Sequence, residues 1–312
     1  MNLHPTNKQL VIYHSHCADG FTSAWCFYNK AQKDHVILDF YPGIYSESPP
    51  DCTGAYVYLV DFSYKKDVVK KICAVASKVI LIDHHKTAIE DLKPLIDRAS
   101  EEFTPNFHMY VDLESSGARL AWDFLYNTIY KDNNFIRTTE GCVEYRDPPI
   151  LLTHVEDRDL WHFKLPCSKE VNSYIFSFDY TFEQWDILMK VDSAQLVSVI
   201  DGGASILRKH NKDIKELLNV CLRYFRIGGI LVPVASLPYI HASDAGHIMA
   251  ADWNGGREFA ACYWDTNTHR VFSLRSTPTG MDVSAIASNY GGGGHKNAAG
   301  FRVTRDDPLA VL

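Results

Sequence analysis

The stretch Val79-Ile80-Leu81-Ile82-Asp83-His84-His85-Lys86 decides how the fold is read. A short aliphatic, β-branched run without polar alternation is the pattern of a strand buried on both faces, as parallel sheets have. It stops on an acid and two imidazoles, so three metal or phosphate ligands stand at a strand's carboxyl end, where open α/β sheets bind ligands. Adjacent histidines cannot share a face within a strand, but in the loop just beyond it both can turn into one crevice. The bland alternative is that Asp83 caps the next helix and the histidines are solvated.

Working outward, the pattern recurs. Leu10-Val11-Ile12-Tyr13-His14 is a strand that runs into Ser15-His16-Cys17-Ala18-Asp19-Gly20, followed by a helical stretch over 21–31. Residues 35–41 read as a second strand and the turn-rich 42–54 as a surface loop. Ala55-Tyr56-Val57-Tyr58-Leu59-Val60 is a third strand, ending on Asp61, and a helix over 64–77 returns the chain to the 79–82 strand. Alternating strand and helix argues for a parallel sheet. Three strand ends, carrying His14, Asp61 and Asp83, then face one edge.

Farther on, Glu114-Ser115-Ser116-Gly117 precedes a helix over 118–130; its hydroxyls suit capping, and such a start is also an anion site. After a short apolar stretch, residues 151–161 deliver Glu156, Asp157 and Asp159. Helical apolar spacing over 205–225, between Gly202-Gly203 and Gly228-Gly229, reads as a long connecting helix. We expect an α/β protein with a parallel-sheet domain over 1–200, a linker helix over 201–227 and a smaller α/β domain over 228–312. The latter holds a hairpin (258–264 and 271–275), a helix over 282–290, the run Gly291-Gly292-Gly293-Gly294-His295-Lys296-Asn297-Ala298-Ala299-Gly300 and a last strand over 301–303.

The totals narrow the function. The 312 residues suit two domains, and 46% hydrophobic residues supply ample core. A net charge of −7 lacks the basic surplus that gripping long nucleic acid requires, which favours a short anionic substrate or one whose charge is met by metal. The eight cysteines (17, 26, 52, 73, 142, 167, 221 and 262) form no CxxC pair and follow no signal peptide, so reduced thiols in a cytoplasmic protein are expected. No apolar run suits a membrane span.

Carboxylate and imidazole donors suit hard or borderline divalent cations, and a pair of cations about 3.5–4 Å apart can hold both the attacking water and the phosphoryl oxygens of a displacement. Such a pair needs a bridging carboxylate, for which Asp61 is the candidate, with His14, Asp19, Asp83, His84 and Asp157 around it. The glycine run allows backbone amides to close on a phosphate, with His295 and Lys296 as further donors. Its alternative is a flexible hairpin with an incidental histidine.

Together these motifs resemble the DHH phosphoesterase family, in the branch with a DHH-associated C-terminal domain that includes nanoRNases. His14 to Ala24, Asp61, Asp83-His84-His85 and Asp157 resemble its four N-terminal motifs; 272–276, 282–284 and 291–301 resemble its C-terminal domain. The resemblance implies two divalent ions, manganese or alternatively magnesium, with His14 and Asp61 at one and Asp19, Asp61, His84 and Asp157 at the other. It implies a catalytic role for Asp83, His84 and His85, with Asp83 orienting a neighbouring imidazole. Substrate contacts would come from His85, Arg275, His295 and the Gly292-Gly293-Gly294 amides, with the Ser116 helix start as a further anion site.

The sequence departs from the family's Asp-x-Asp first motif, since Cys17 stands at the first aspartate position. His16 competes with His14 as ligand, and Asp159 with Asp157, although Asp159 reads better as a partner of Arg158 or a turn cap. The implied activity is hydrolysis of very short 5′-phosphorylated oligoribonucleotides or dinucleotides, such as linear diguanylate, to mononucleotides, with homodimerisation open. An exopolyphosphatase or 3′-phosphoadenosine phosphatase is the second reading, and a non-catalytic small-nucleotide sensor, for which Cys17 speaks, the third.

Overall fold

The computed structural model describes residues 8–45, 47–131, 134–138, 145–256 and 258–310, and divides into two compact units, 1–207 and 208–312. Cys142 lies outside the described residues. The first unit runs β1 (Gln9–His14), α1 (Ala18–Asp34), β2 (Asp39–Gly43), β3 (Tyr56–Val60), α2 (Lys66–Val75), β4 (Lys78–Asp83), α3 (Lys86–Leu92), β5 (Phe107–Val111) and α4 (Gly117–Tyr126). A two-stranded hairpin, β6 (Thr128–Lys131) and β7 (Asn134–Arg137), precedes α5 (Ile150–Asp159), α6 (Ser168–Ile175) and α7 (Phe182–Leu188).

The five-stranded sheet is parallel throughout, in the order β2-β1-β3-β4-β5. Its strands are apolar on both faces because both faces are covered. Val11, Tyr58, Val60, Ile80 and Ile82 enter a core with α1, α4 and α5. Leu10, Ile12, Val57, Leu59, Val79 and Leu81 enter a second core that includes Val69 and Ile72 of α2 and Leu92 of α3. The alternation follows from the two-residue period of a strand. In this order the chain reverses direction across the sheet between β1 and β3, the switch point where α/β sheets open a crevice. His14 ends β1 and Asp61 follows β3.

α8 (Leu196–Cys221) runs from the first unit into the second. In the second, β8 (Leu222–Ile227), β9 (Ile230–Ser236), α9 (Tyr239–Asp252), β10 (Phe259–Asp265), β11 (His269–Ser276), α10 (Val283–Ser288), β12 (Gly293–His295) and β13 (Ala298–Thr304) build a six-stranded sheet ordered β12-β13-β11-β10-β9-β8. The pattern of a parallel-sheet α/β domain followed by a further α/β unit is the expected fold class. No helix of the described residues is long and apolar enough to cross a membrane.

Several boundaries differ from the sequence reading. The second strand is 39–43 rather than 35–41, because α1 continues to Asp34 and closes on His35 in the left-handed conformation (φ 55°). The helix expected over 118–130 ends at Tyr126, and β-branched Thr128 and Ile129 enter a strand instead. The helix expected over 205–225 begins at Leu196 and stops at Cys221; Leu222 to Phe225 pair with β9 as β8. Residues 150–159, read only as an apolar stretch delivering acids, are helical, and β5 had no counterpart in the reading.

Candidate metal centre

Asp61 is the hinge of the site. It leaves β3 with φ 52°, a left-handed conformation that aspartate tolerates better than most residues, and its amide donates to Ile82 O (2.9 Å). The turn throws its buried carboxylate across the strand ends. Oδ2 faces His14 Nδ1 at 3.6 Å and the Cys17 thiol at 3.6 Å; Oδ1 faces His84 Nε2 at 3.1 Å and His85 Nδ1 at 3.9 Å. One carboxylate thus presents an oxygen to each of two donor groups.

The first group is His14, Cys17 and Asp61, whose donor atoms all lie within 4.8 Å of one another. Cys17 is the N-cap position of α1 but makes no side-chain cap, which leaves its sulfur turned to Asp61. His14 Nδ1 is buried without a hydrogen-bond partner. His16 is exposed and outside these groups, so His14 is the histidine that the fold brings in.

The second group gathers around His84 Nε2, with Asp61 Oδ1 at 3.1 Å, Asp159 Oδ2 at 3.4 Å and Asp19 Oδ2 at 3.8 Å. Asp19, in the first turn of α1, also accepts the amides of Gly117 (2.6 Å) and Ala118 (3.0 Å), pinning it to the positive end of α4. Burial, Asp61 and Asp159 hold the Asp19 carboxyl well above the usual carboxylate range; His14 and His84 hold Asp61 well below it despite burial. Burial opposes a charged His84, yet Asp159, Asp61 and Asp19 lift it to about 10.

Three carboxylates crowd one imidazole nitrogen, two of them nearly inaccessible, and their repulsion is offset by a cation among them, the protonated imidazole or a metal ion in its place. The donor set, carboxylate with imidazole, fits divalent metal. With the other group sharing Asp61, the residues fit a pair of cations.

Asp83 ends β4 fully buried, and its Oδ1 accepts His84 N (2.8 Å), His85 N (3.3 Å) and the His85 ring at Nδ1 (2.7 Å). These bonds tie the turn after β4 and the Nδ1 side of the His85 ring to one carboxylate oxygen. The two imidazole rings stand 4.8 Å apart, and each has a nitrogen facing Asp61 Oδ1.

Of the two acids on α5, the expected ligand is Asp157, but the structure brings Asp159 to the His84 group. On α5, residues two apart point to opposite sides. Asp159 turns to His84. Asp157 turns the other way and accepts Lys164 N (2.9 Å) and Leu165 N (3.1 Å), fastening the chain beyond α5. Arg158 lies over the Trp161 ring, 4.8 Å from its centroid. Ser116 is a cap: it is wholly buried and its Oγ accepts Arg119 N.

The remaining expected residues lie in the second unit. Arg275, on β11, donates to Ser273 Oγ (3.0 Å), Leu274 O (2.9 Å) and Ser243 Oγ (3.2 Å). Gly293 to His295 form β12, paired with β13. The glycines answer a packing demand: a Cβ on Gly292 would stand 2.1 Å from Gly300 O, and Gly294 has φ 140°. The amides of Gly291 and Gly292 donate to Ser288 O and Ala287 O, closing α10, and β12 then turns back through Lys296 and Asn297 to pair with β13.

Gly117 and Tyr45 went unnoticed in the sequence. A Cβ on Gly117 would meet Asp61 Cβ at 2.5 Å and Asp19 Oδ2 at 2.8 Å, a demand no spacing signals. Tyr45, 45% exposed, sets its ring 5.3 Å from His14 and 5.0 Å from Phe62.

No family model matches the chain. It is 28% identical over 317 residues to the uncharacterized protein R106 of Acanthamoeba polyphaga mimivirus, covering 94% of this chain and 66% of that relative, just under two thirds of its length. Among solved structures it aligns with exonuclease RecJ bound to manganese (14% identity, 96% and 86% of the two chains, TM-score 0.46) and with the pGpG-specific phosphodiesterase PggH of Vibrio cholerae (12%, 98% and 95%, 0.39). Both scores are too low to bear on function. The DHH domain of a member of the s1p family of ribosomal proteins aligns with a TM-score of 0.54 at 13% identity, over 96% of this chain and 83% of that one, a likeness that establishes the fold as DHH-like.

Proposed function

We propose that the chain is a dinuclear-metal phosphodiesterase that hydrolyses very short 5′-phosphorylated oligoribonucleotides or dinucleotides to mononucleotides. The observation that carries this reading is the Asp61 carboxylate, with one oxygen toward His14 and Cys17 and the other toward His84. His14, Cys17 and Asp61 would hold one ion; Asp19, Asp61, His84 and Asp159 the other. Bound there, the ions would supply charge neutralisation at the phosphoryl oxygens and activation of a water.

The protein's own residues do the rest. Asp83 holds His85 by Nδ1, and the ring so oriented is the group proposed to meet a phosphoryl oxygen or leaving group. The exposed Tyr45 ring offers a base-stacking surface beside the centre. Arg275 and the β12 edge of the second unit are proposed to hold the substrate's terminal phosphate. The net charge of −7 suits a dinucleotide better than a polymer.

The test is a chromatographic time course with manganese or zinc on a 5′-phosphorylated diribonucleotide, a longer RNA and inorganic polyphosphate in parallel. Conversion of the dinucleotide alone to mononucleotides supports the proposal. Phosphate released from polyphosphate alone would replace it with a polyphosphatase, and inactivity on all three with a nucleotide-binding module.

A further inference from the structure

We infer that the two halves of the centre differ in metal preference: His14, Cys17 and Asp61 form a thiolate-bearing site that selects a borderline ion of the zinc class over manganese. The inference deepens the dinuclear reading and rests on it.

Its basis is geometric and chemical. Donors about 2.0–2.3 Å from one tetrahedral ion stand roughly 3.4–3.6 Å apart. His14 Nδ1 lies 3.6 Å from Asp61 Oδ2, longer than a nitrogen–oxygen hydrogen bond, and Cys17 Sγ lies 3.6 Å from the same oxygen in an S–H···O contact; both separations are also those of ligands sharing one ion. His14 Nδ1 is buried with no hydrogen-bond partner, although a carboxylate faces it.

As the N-cap residue of α1, Cys17 makes no side-chain cap, and its thiol hydrogen-bonds to the same Asp61 oxygen that faces His14. Thiolate, imidazole and carboxylate together are a donor set for zinc, cobalt or ferrous iron. Manganese and magnesium favour oxygen ligands. The other half supplies them: Asp61 Oδ1, Asp19 and Asp159 around a single imidazole. A shared carboxylate therefore joins a softer pocket to a harder one.

The experiment uses the metal-free full chain. Cobalt(II) is titrated by absorbance and calorimetry, and zinc and manganese by calorimetry, for the wild type, Cys17→Ser and Cys17→Asp. We expect a sulfur-to-cobalt charge-transfer band in the wild type that Cys17→Ser lacks while still binding cobalt. The zinc-over-manganese preference of one site should fall roughly 10–100-fold in Cys17→Asp. Cobalt bound to wild type without that band overturns the inference while leaving two cation sites intact, as does an unchanged preference in a folded Cys17→Asp. Fewer than two ions bound by the wild type would instead overturn the dinuclear reading on which it rests.

Discussion

Gly117 and Asp61 are packed so closely that a single added methyl at position 117 would stand 2.5 Å from Asp61 Cβ and 2.7 Å from its Oδ1. The start of α4 is therefore a wall of the centre, and Asp19 bonds to the amides of that same wall. Gly117→Ala must push Asp61 or α4 aside. Overpacking of this kind costs about 1–3 kcal/mol, and we expect metal affinity to drop roughly 10–100-fold as the shared carboxylate is displaced. Calorimetric titration of the folded variant checks this; wild-type affinity would show that the wall yields without moving Asp61.

The two acids of α5 make a paired prediction. Asp159→Asn should weaken metal binding by tenfold or more; in the metal-free protein it relieves repulsion with Asp19 and Asp61 but also removes an acid that holds the His84 proton, so its cost in stability should be confined to pH below about 10. Asp157→Ala strands the amides of Lys164 and Leu165, so it should cost about 1–3 kcal/mol of stability with metal affinity retained. Denaturation and metal titration on both variants decide it. The reverse pattern would restore Asp157 as the ligand.

Asp83 is argued to act through His85. Asp83→Asn keeps the size of the side chain but removes the charge that fixes the ring, so turnover should fall roughly 10–100-fold with metal stoichiometry and KM little altered. A purely structural role would show instead as lower metal content or a lower Tm at unchanged kcat.

If Tyr45 carries a base, Tyr45→Ala loses about 1–3 kcal/mol of stacking and raises KM, whereas Tyr45→Phe keeps the ring and the wild-type KM. An equal loss in both variants would point to the hydroxyl, not the ring.

What the sequence made legible follows from what repeats locally. Buried parallel strands announce themselves as apolar runs, so β1, β3 and β4 and the residues at their ends could be read directly, and the switch point between β1 and β3 brings those ends together. Asp157 and Asp159 could not be told apart because the choice depends on whether 150–159 is strand or helix: with a period of 2 both acids share a face, with a period of 3.6 they oppose. Gly117 was hidden for a different reason. Its constraint is a tertiary contact across 56 positions with Asp61, and a helix start tolerates glycine whether or not anything lies behind it. The glycine run was visible, but as a signal for anion binding; that β13 presses Gly300 O against Gly292 is information about sheet pairing that the run does not carry.

The pH dependence of metal binding follows from His84. In the metal-free protein burial works against its charged form, but Asp159, Asp61 and Asp19 outweigh burial and raise it from 6.5 to about 10. Its proton is therefore held throughout the neutral range, and a cation must displace it to use Nε2. Apparent affinity should climb by about tenfold per pH unit below that value, with proton release visible as a calorimetric heat that varies with the buffer's ionisation enthalpy. The same proton also stabilises the metal-free fold: because the folded value lies above the unfolded one, this contribution is complete below about 6.5 and is lost as pH rises toward about 10. The metal-free Tm should accordingly decline across that window, while the metal-loaded protein, which carries no proton there, should not. A metal affinity flat from pH 6 to 9 would remove His84 from the ligand set.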